Sequence, residues 1–273
     1  MNRKGVLFLV ILVTFFIGSG IYSISSLRKN ELKFYESIPG DVEKLAKDTL
    51  VNYEKESIEE IYNNFVDEVK NFQDARIKLN EITKYVKSKG KVDEVNIVGY
   101  NKSLNNSRNS RNSREFHSIT YELKVDSGYL LYIVQITKED NTYKLFRTDF
   151  NEIEESLSTL NGFNFKDKGV IHYVILFLVI GLLLFNFITA AICFSSTAKR
   201  KVLWCIFILF GIATVAFNWT TAEFGFNLIS FQIPSATIRK TSFNGPYIMT
   251  LNFPLGAVLY WLKKHKENTF KTL

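Results

Sequence analysis

Four apolar runs constrain this chain more than any other feature: Gly5 to Ile21, Val170 to Phe194, Val202 to Ala222 and Tyr247 to Leu262. At about 1.5 Å per helical residue and a hydrocarbon core of about 30 Å, the middle two are long enough to span a bilayer and the outer two are marginal. The expectation is an α-helical membrane region of four spans. The first anchor occupies residues 1–22, and three further helices occupy 169–262 with an interfacial loop at 220–246. A basic tail follows at 263–273.

Charge supports a membrane reading over a nucleic-acid one, although the chain carries a formal +7. Residues 28–168 hold 23 Lys and Arg against 25 Asp and Glu, so the excess lies beside the apolar runs. Arg3, Lys4, Lys199, Arg200, Lys201, Lys263, Lys264, Lys266 and Lys271 flank them on one predicted side. Only Arg239 and Lys240 fall in the short loop on the other. The positive-inside preference then puts both termini in the cytoplasm and residues 23–168 outside. The expected location is a cell membrane, multi-pass, with compactness and composition suggesting a bacterial cytoplasmic membrane.

Met1-Asn2-Arg3-Lys4 ahead of the first apolar run also fits a cleaved secretory signal. The run is longer than the usual signal core and no A-x-A site follows, which favours a retained anchor; either way residues 23–168 are exported. Cys193 and Cys205 are the two cysteines, and both fall in predicted spans. An exported disulfide or thiolate metal site is therefore excluded. His117, His172 and His265 show no metal-ligand spacing, and neither a cofactor nor a metal is expected.

The exported part reads as an α+β domain with helices on a four-stranded antiparallel sheet. Asp41 opens a helix with Val42, Leu45, Ala46, Leu50 and Tyr53 on one face. Ser57 and Glu60 form a capping-box pattern ahead of a helical stripe from Ile58 through Phe72. Asp74 to Ser88 predicts a third helix, capped at Gly90. Residues 28–38 suit a helical stalk. Period-two alternation then predicts strands at Val92–Tyr100, Ile119–Val125, Tyr129–Thr137 and Tyr143–Phe150, with turns at Asp126-Ser127-Gly128 and Glu139-Asp140-Asn141. Asn151–Leu160 predicts a closing helix.

This order of elements, with the terminal hairpin Asp140-Asn141-Thr142-Tyr143-Lys144-Leu145-Phe146, resembles the cystatin-like and nuclear-transport-factor-like group of α+β cones over residues 41–150. The resemblance implies helices packed in the concave face of a curved sheet. That group includes enzymes, ligand binders and scaffolds, so it implies no single activity. The placement between apolar runs behind a stalk also resembles extracytoplasmic sensor domains, without a cytoplasmic output module.

Three sets of residues are candidates for function. Lys102, Arg108, Arg111 and Arg114 in the segment Asn101–Arg114 could contact an anion, lipid headgroup or acidic partner, where the plainer reading is a solvated loop. His117 could line a pocket with Tyr121, Tyr129 or Tyr132, or be a structural residue at a strand end. Asn186 and Asn252 are the candidate intramembrane polar contacts, through interhelical hydrogen bonding or along a transport path. His172, in the first turn of its run, is expected at the interface. No G-x-S-x-G elbow accompanies His117 and no Gly-rich phosphate loop is present.

The expected function is that of a non-catalytic integral membrane protein whose exported domain binds a protein partner or small ligand. The alternative is a transporter or channel accessory subunit, followed by an envelope enzyme. Membrane lipid and a protein partner or second copy are the expected partners. Nucleic acid is not.

Overall fold

The computed structural model of the chain describes residues 2–105, 114–139 and 141–269. It divides into two compact units, residues 29–160 and residues 1–28 with 161–273. Helix α1 (Arg3–Tyr35) contributes its apolar part to the second of these and its last residues to the first.

The 29–160 unit is α+β. Helices α2 (Gly40–Glu54), α3 (Ile58–Asn64), α4 (Asp67–Lys70) and α5 (Ala75–Ser88) precede strands β1 (Val92–Asn105), β2 (Arg114–Val125), β3 (Gly128–Glu139) and β4 (Thr142–Ile153), and one further turn, α6 (Leu157–Leu160), closes it. The strands lie in the order β1-β2-β3-β4, every pair antiparallel. Odd residues of β2 and even residues of β3 point to one face, as the two-residue period requires. There Ile119 opposes Val134, Tyr121 opposes Tyr132, and Leu123 opposes Leu130, all fully buried. The apolar stripe of α2, Val42, Ala46, Leu50 and Tyr53, packs on this face together with Leu79 and Val86 of α5. Fully burying each such aliphatic side chain contributes on the order of 1.5–3 kcal/mol.

Two local expectations are corrected. The stripe from Ile58 to Phe72 is not one helix. Phe65 leaves α3 in an extended conformation and forms a parallel bridge with Leu145 of β4, and the Val66 N–H donates to Leu145 O at 2.9 Å. Both Phe65 and Val66 are buried by this detour. Pairing with the sheet outweighs helical propensity there, and Ser57 makes no side-chain cap. The closing helix is also shorter than its pattern, because β4 continues to Ile153 opposite Tyr129. Helical structure resumes only at Leu157, whose N–H donates to Glu122 Oε2 at 2.6 Å. The expected αL cap at Gly90 is present, with φ +94°.

The other unit contains two helices long and apolar enough to cross a membrane, α1 and α7 (Val170–Ser195). They run antiparallel and touch through Phe8 against Phe194, 4.3 Å between ring centroids, and Phe16 against Phe187 at 5.0 Å.

The expectation of four helical spans fails at the last two runs. Val202–Ala222 is a short helix α8 (Lys201–Ile208), about 12 Å long, joined to strand β5 (Gly211–Asn218). The expected interfacial loop is strand β6 (Phe224–Gln232) and strand β7 (Ala236–Lys240). Tyr247–Leu262 is strand β8 (Tyr247–Phe253) followed by helix α9 (Leu255–Thr269). The strands form an antiparallel sheet ordered β6-β5-β8-β7. The reason lies in residues that hydropathy counts as merely apolar: β-branched and aromatic side chains dominate β5 and β8, where they fit a pleated surface. Pro254, which lacks an N–H for the ladder, marks the change from β8 to α9.

Helix α7 organises this unit. Ile175 and Val179 pack with Phe217, Trp219, Ala236 and Met249 of the sheet region. Two to three turns past its middle, Ala190 and Cys193 pack with Cys205, Ile208, Ala257 and Tyr260 of α8 and α9.

Candidate functional site

The sequence singled out His117, and the structure surrounds it with a hydrogen-bonded chain. His117 is 0% exposed on the core face of β2. Its Nε2 lies 2.7 Å from Glu115 Oε1, and its Nδ1 lies 2.8 Å from the Tyr100 hydroxyl. A carboxylate only accepts, so Nε2 carries the proton, and in the neutral ring the Tyr100 hydroxyl donates to Nδ1. Glu115 continues the chain to Lys102 Nζ at 2.9 Å. That hydrogen bond, ahead of the bond from His117, holds the Glu115 carboxyl below the usual carboxylate range. Tyr143 caps the imidazole edge-on at 5.6 Å. Every polar atom of the ring is engaged and the ring meets only protein. The arrangement can move a proton along Lys102, Glu115, His117 and Tyr100, but it offers a substrate no contact with the imidazole.

The tyrosines named with His117 do not join it. Tyr121 and Tyr132 share its face but stand four strand residues away, about 13 Å, with Ile119 between. They stack on each other at 5.8 Å, and Tyr132 stacks on Phe150 at 4.7 Å. The Tyr132 hydroxyl donates to Ala46 O at 3.3 Å, and Tyr53 bonds Thr148 at 2.6 Å. Burial pushes the Tyr53 phenol up to about 12 and raises those of Tyr121 and Tyr132 further. These are core aromatics. Tyr129 points to the opposite face, opposite Ile153.

The basic segment is less of a loop than its composition predicts. Strand β1 runs on to Asn105 and β2 begins at Arg114, opposite it. Lys102 is paired with Glu115, and Arg114 with Glu68 at 2.8 Å and Glu139 at 3.9 Å. Arg108 and Arg111 lie outside the described residues.

Asn186 and Asn252 converge on one residue, Ser235. The Asn186 side-chain amide donates to the Ser235 hydroxyl, and the Asn252 backbone N–H donates to Ser235 O at 2.7 Å. The Asn252 side chain donates to Thr214 Oγ1 at 2.7 Å. Gly211 permits this convergence, since a Cβ there would lie 2.5 Å from Ser235 Cβ and 2.7 Å from Asn252 Cβ. Both asparagines are buried, and their Oδ1 atoms have no hydrogen-bond partner among the described residues. His172 is also buried, edge-on to Phe217 at 5.1 Å and Trp219 at 5.2 Å.

One site escaped sequence reasoning. A groove of about 190 Å³ opens between α3–α5 and β4, lined by Phe65, Val69, Phe72, Leu79, Ile82 and Phe146. Lys70, Lys78 and Arg147 stand on its rim. Phe72 is 66% exposed beside it. The signal that could have found it was Phe72 itself, an aromatic at the end of an apolar stripe that the helix did not need.

Among the described residues no group of three or more His, Cys, Asp or Glu side chains could hold a metal ion. Compared with known proteins, the chain matches no family model, no curated protein and no solved structure.

Proposed function

We propose that this is a membrane-anchored binding protein, with α1 and α7 spanning a cell membrane and residues 29–160 presented on the outer side to a protein partner. The orientation draws support from the grouping of basic residues at one end of the helix pair. Asn2 Nδ2 reaches Ser195 O at 3.4 Å, which sets Arg3 and Lys4 beside Lys199–Lys201. Lys201 Nζ lies 5.5 Å from the Phe194 ring, and Lys263 Nζ lies 4.9 Å from the Trp204 ring. The cytoplasmic face is the natural place for such a cluster.

The observation that carries the binding assignment is the α3–α5/β4 groove. Its 190 Å³ is below the 300–1,000 Å³ usual for small-molecule sites but suits one large apolar side chain. Lys78 on its rim, beside Lys70 and Arg147 whose charges are met by Asp67 and Asp149, favours a partner that presents an apolar anchor next to a carboxylate. The enclosure of His117 weighs against an acid–base enzyme. The hydrogen bonds of Asn186 and Asn252 to Ser235 and Thr214 favour packing over a transport path. Substituting Phe72→Asp in the full-length chain tests the assignment: partner recovery from cross-linked native membranes falls while expression and folding hold. Undiminished recovery would move the binding surface elsewhere.

A further inference from the structure

The sheet β6-β5-β8-β7 has two unlike edges. Strand β7 lies against α7, where Ala236 packs with Ile175 and Val179. Strand β6 pairs only with β5 among the described residues, and no charged residue between Phe224 and Gln232 guards its outer edge. Phe224, Phe226, Leu228, Ile229, Phe231 and Ile233 are 43% to 87% exposed there. Together they present on the order of 800 Å², about one partner's share of a standard interface.

The backbone of this edge decides what can cover it. The Asn218 N–H donates to Glu223 O at 2.9 Å and the Trp219 N–H donates to Tyr247 O at 2.9 Å, so alternate residues of β5 face β6. Gly225 and Asn227, opposite Ala216 and Thr214, therefore face β5, and the N–H and C=O groups of Phe224 and Phe226 point out from the sheet. Phe224 is opposite Phe217, which packs with Ile175 and Val179. Asn227 is opposite Thr214, which is hydrogen-bonded to Asn252 close to Ser235 and Asn186. The edge thus lies between the levels of Ile175 and Asn186, a stretch of about 16 Å along α7 and within a hydrocarbon core of about 30 Å when α7 spans. Lipid covers the phenylalanine rings but offers these backbone groups no hydrogen bond, and open sheet edges do not occur in hydrocarbon.

On the reading that α1 and α7 span the bilayer, we infer that two copies of the chain join their sheets edge to edge, β6 antiparallel to β6 about a twofold axis at Gly225. In that register Phe224 of each copy exchanges both backbone hydrogen bonds with Phe226 of the other, and every outward group of the two residues is met. Gly225 stands opposite Gly225 in the closely spaced pair, where no Cβ keeps the backbones apart. Glu223 of each copy falls opposite Asn227 of the other, so no like charges meet. The Phe224 and Phe226 rings, stacked at 6.3 Å within one chain, continue across the joint as cross-strand aromatic pairs. Phe-Gly-Phe reads the same in both directions, so the edge is its own complement, which favours a second copy over a strand of another protein.

Gly225→Cys and Leu228→Cys in the full-length chain, oxidised with copper phenanthroline in the native membrane, test the register. The wild-type chain, whose two cysteines are buried, sets the baseline. A Cβ at Gly225 comes no closer than 3.8 Å to Ala216 Cβ, an ordinary contact, so the first variant keeps its fold. Gly225→Cys is expected to give a disulfide-linked dimer of the chain. Leu228→Cys, six positions out of register and about 20 Å from its copy, should give none. Phe226→Pro removes an N–H that β5 does not use, and should keep the fold while reducing two copies per particle to one by mass photometry in excess nanodiscs. A single wild-type copy per nanodisc, equal dimer from both cysteine positions, or a Gly225→Cys adduct with a different protein would overturn the inference. Resistance to alkaline extraction is measured on the same membranes. Release of the wild-type protein by alkali defeats the spanning reading and the pairing with it, whereas a resistant monomer defeats the pairing alone.

Discussion

The side-chain amide of Asn186, near the middle of α7, donates to the hydroxyl of Ser235 just before β7, and so ties a membrane-length helix to a β-sheet. Because Asn252 donates its backbone N–H to the same serine, one residue joins α7, β7 and β8. An apolar helix has few ways to fix its register against an apolar sheet. This buried polar contact supplies one.

Asn186→Ala removes the donor while leaving Ser235 buried. We expect a loss of about 1–2 kcal/mol, measured as a lower unfolding midpoint in detergent. Ser235→Ala should cost a similar amount, and the double variant less than the sum, since both remove one interaction.

Gly256 on α9 is constrained by contact. A Cβ there would fall 1.6 Å from Phe207 O of α8, so Gly256→Ala must separate the two helices. Destabilisation of about 3 kcal/mol or more is expected, read as loss of folded protein after detergent extraction. Gly20→Ala, with open space around it, should be neutral by the same measurement.

His117→Phe keeps the volume in the core but leaves the Tyr100 hydroxyl without its imidazole partner and Glu115 with Lys102 alone. A loss of about 1–3 kcal/mol is expected, measured by denaturant unfolding. Binding through the α3–α5/β4 groove should be unaffected, because His117 does not line it.

The depressed carboxyl of Glu115 makes stability depend on pH. Its contribution is fully present above its unfolded pKa, near 4.5, and disappears as pH falls through the lower folded value. Glu115→Gln should therefore unfold with a flatter pH profile between about pH 5 and pH 3. Lys102→Met should move the native carboxyl back toward its usual range.

Alternation was a sufficient guide where one sheet face is wet. The residues Ile119, Tyr121, Leu123 and Val125 announce β2 because Thr120, Glu122 and Lys124 stand between them. In β5 and β8 the signal is lost, since Val215, Phe217, Leu251 and Phe253 are interleaved with further apolar or weakly polar residues. Such a strand has the composition of a helical span, and hydropathy alone cannot separate the two. The clues were Gly211, Thr214, Asn218, Asn252 and Pro254, which together break both runs into pieces shorter than a span. At the sites, Asn186 and Asn252 were legible because buried amides in apolar runs require partners. The groove was not, because it depends on Phe65 breaking out of α3 to reach Leu145, a contact 80 residues away in sequence.

The most direct measurement is site-specific photo-crosslinking from position 72 in the full-length chain, in its native membrane, with Lys47 on α2 as a control position. One discrete protein adduct is expected from position 72, absent from position 47 and competed by a peptide carrying an apolar residue next to a carboxylate. The absence of any adduct from position 72, or the same adduct from both positions, would contradict the groove as the binding surface.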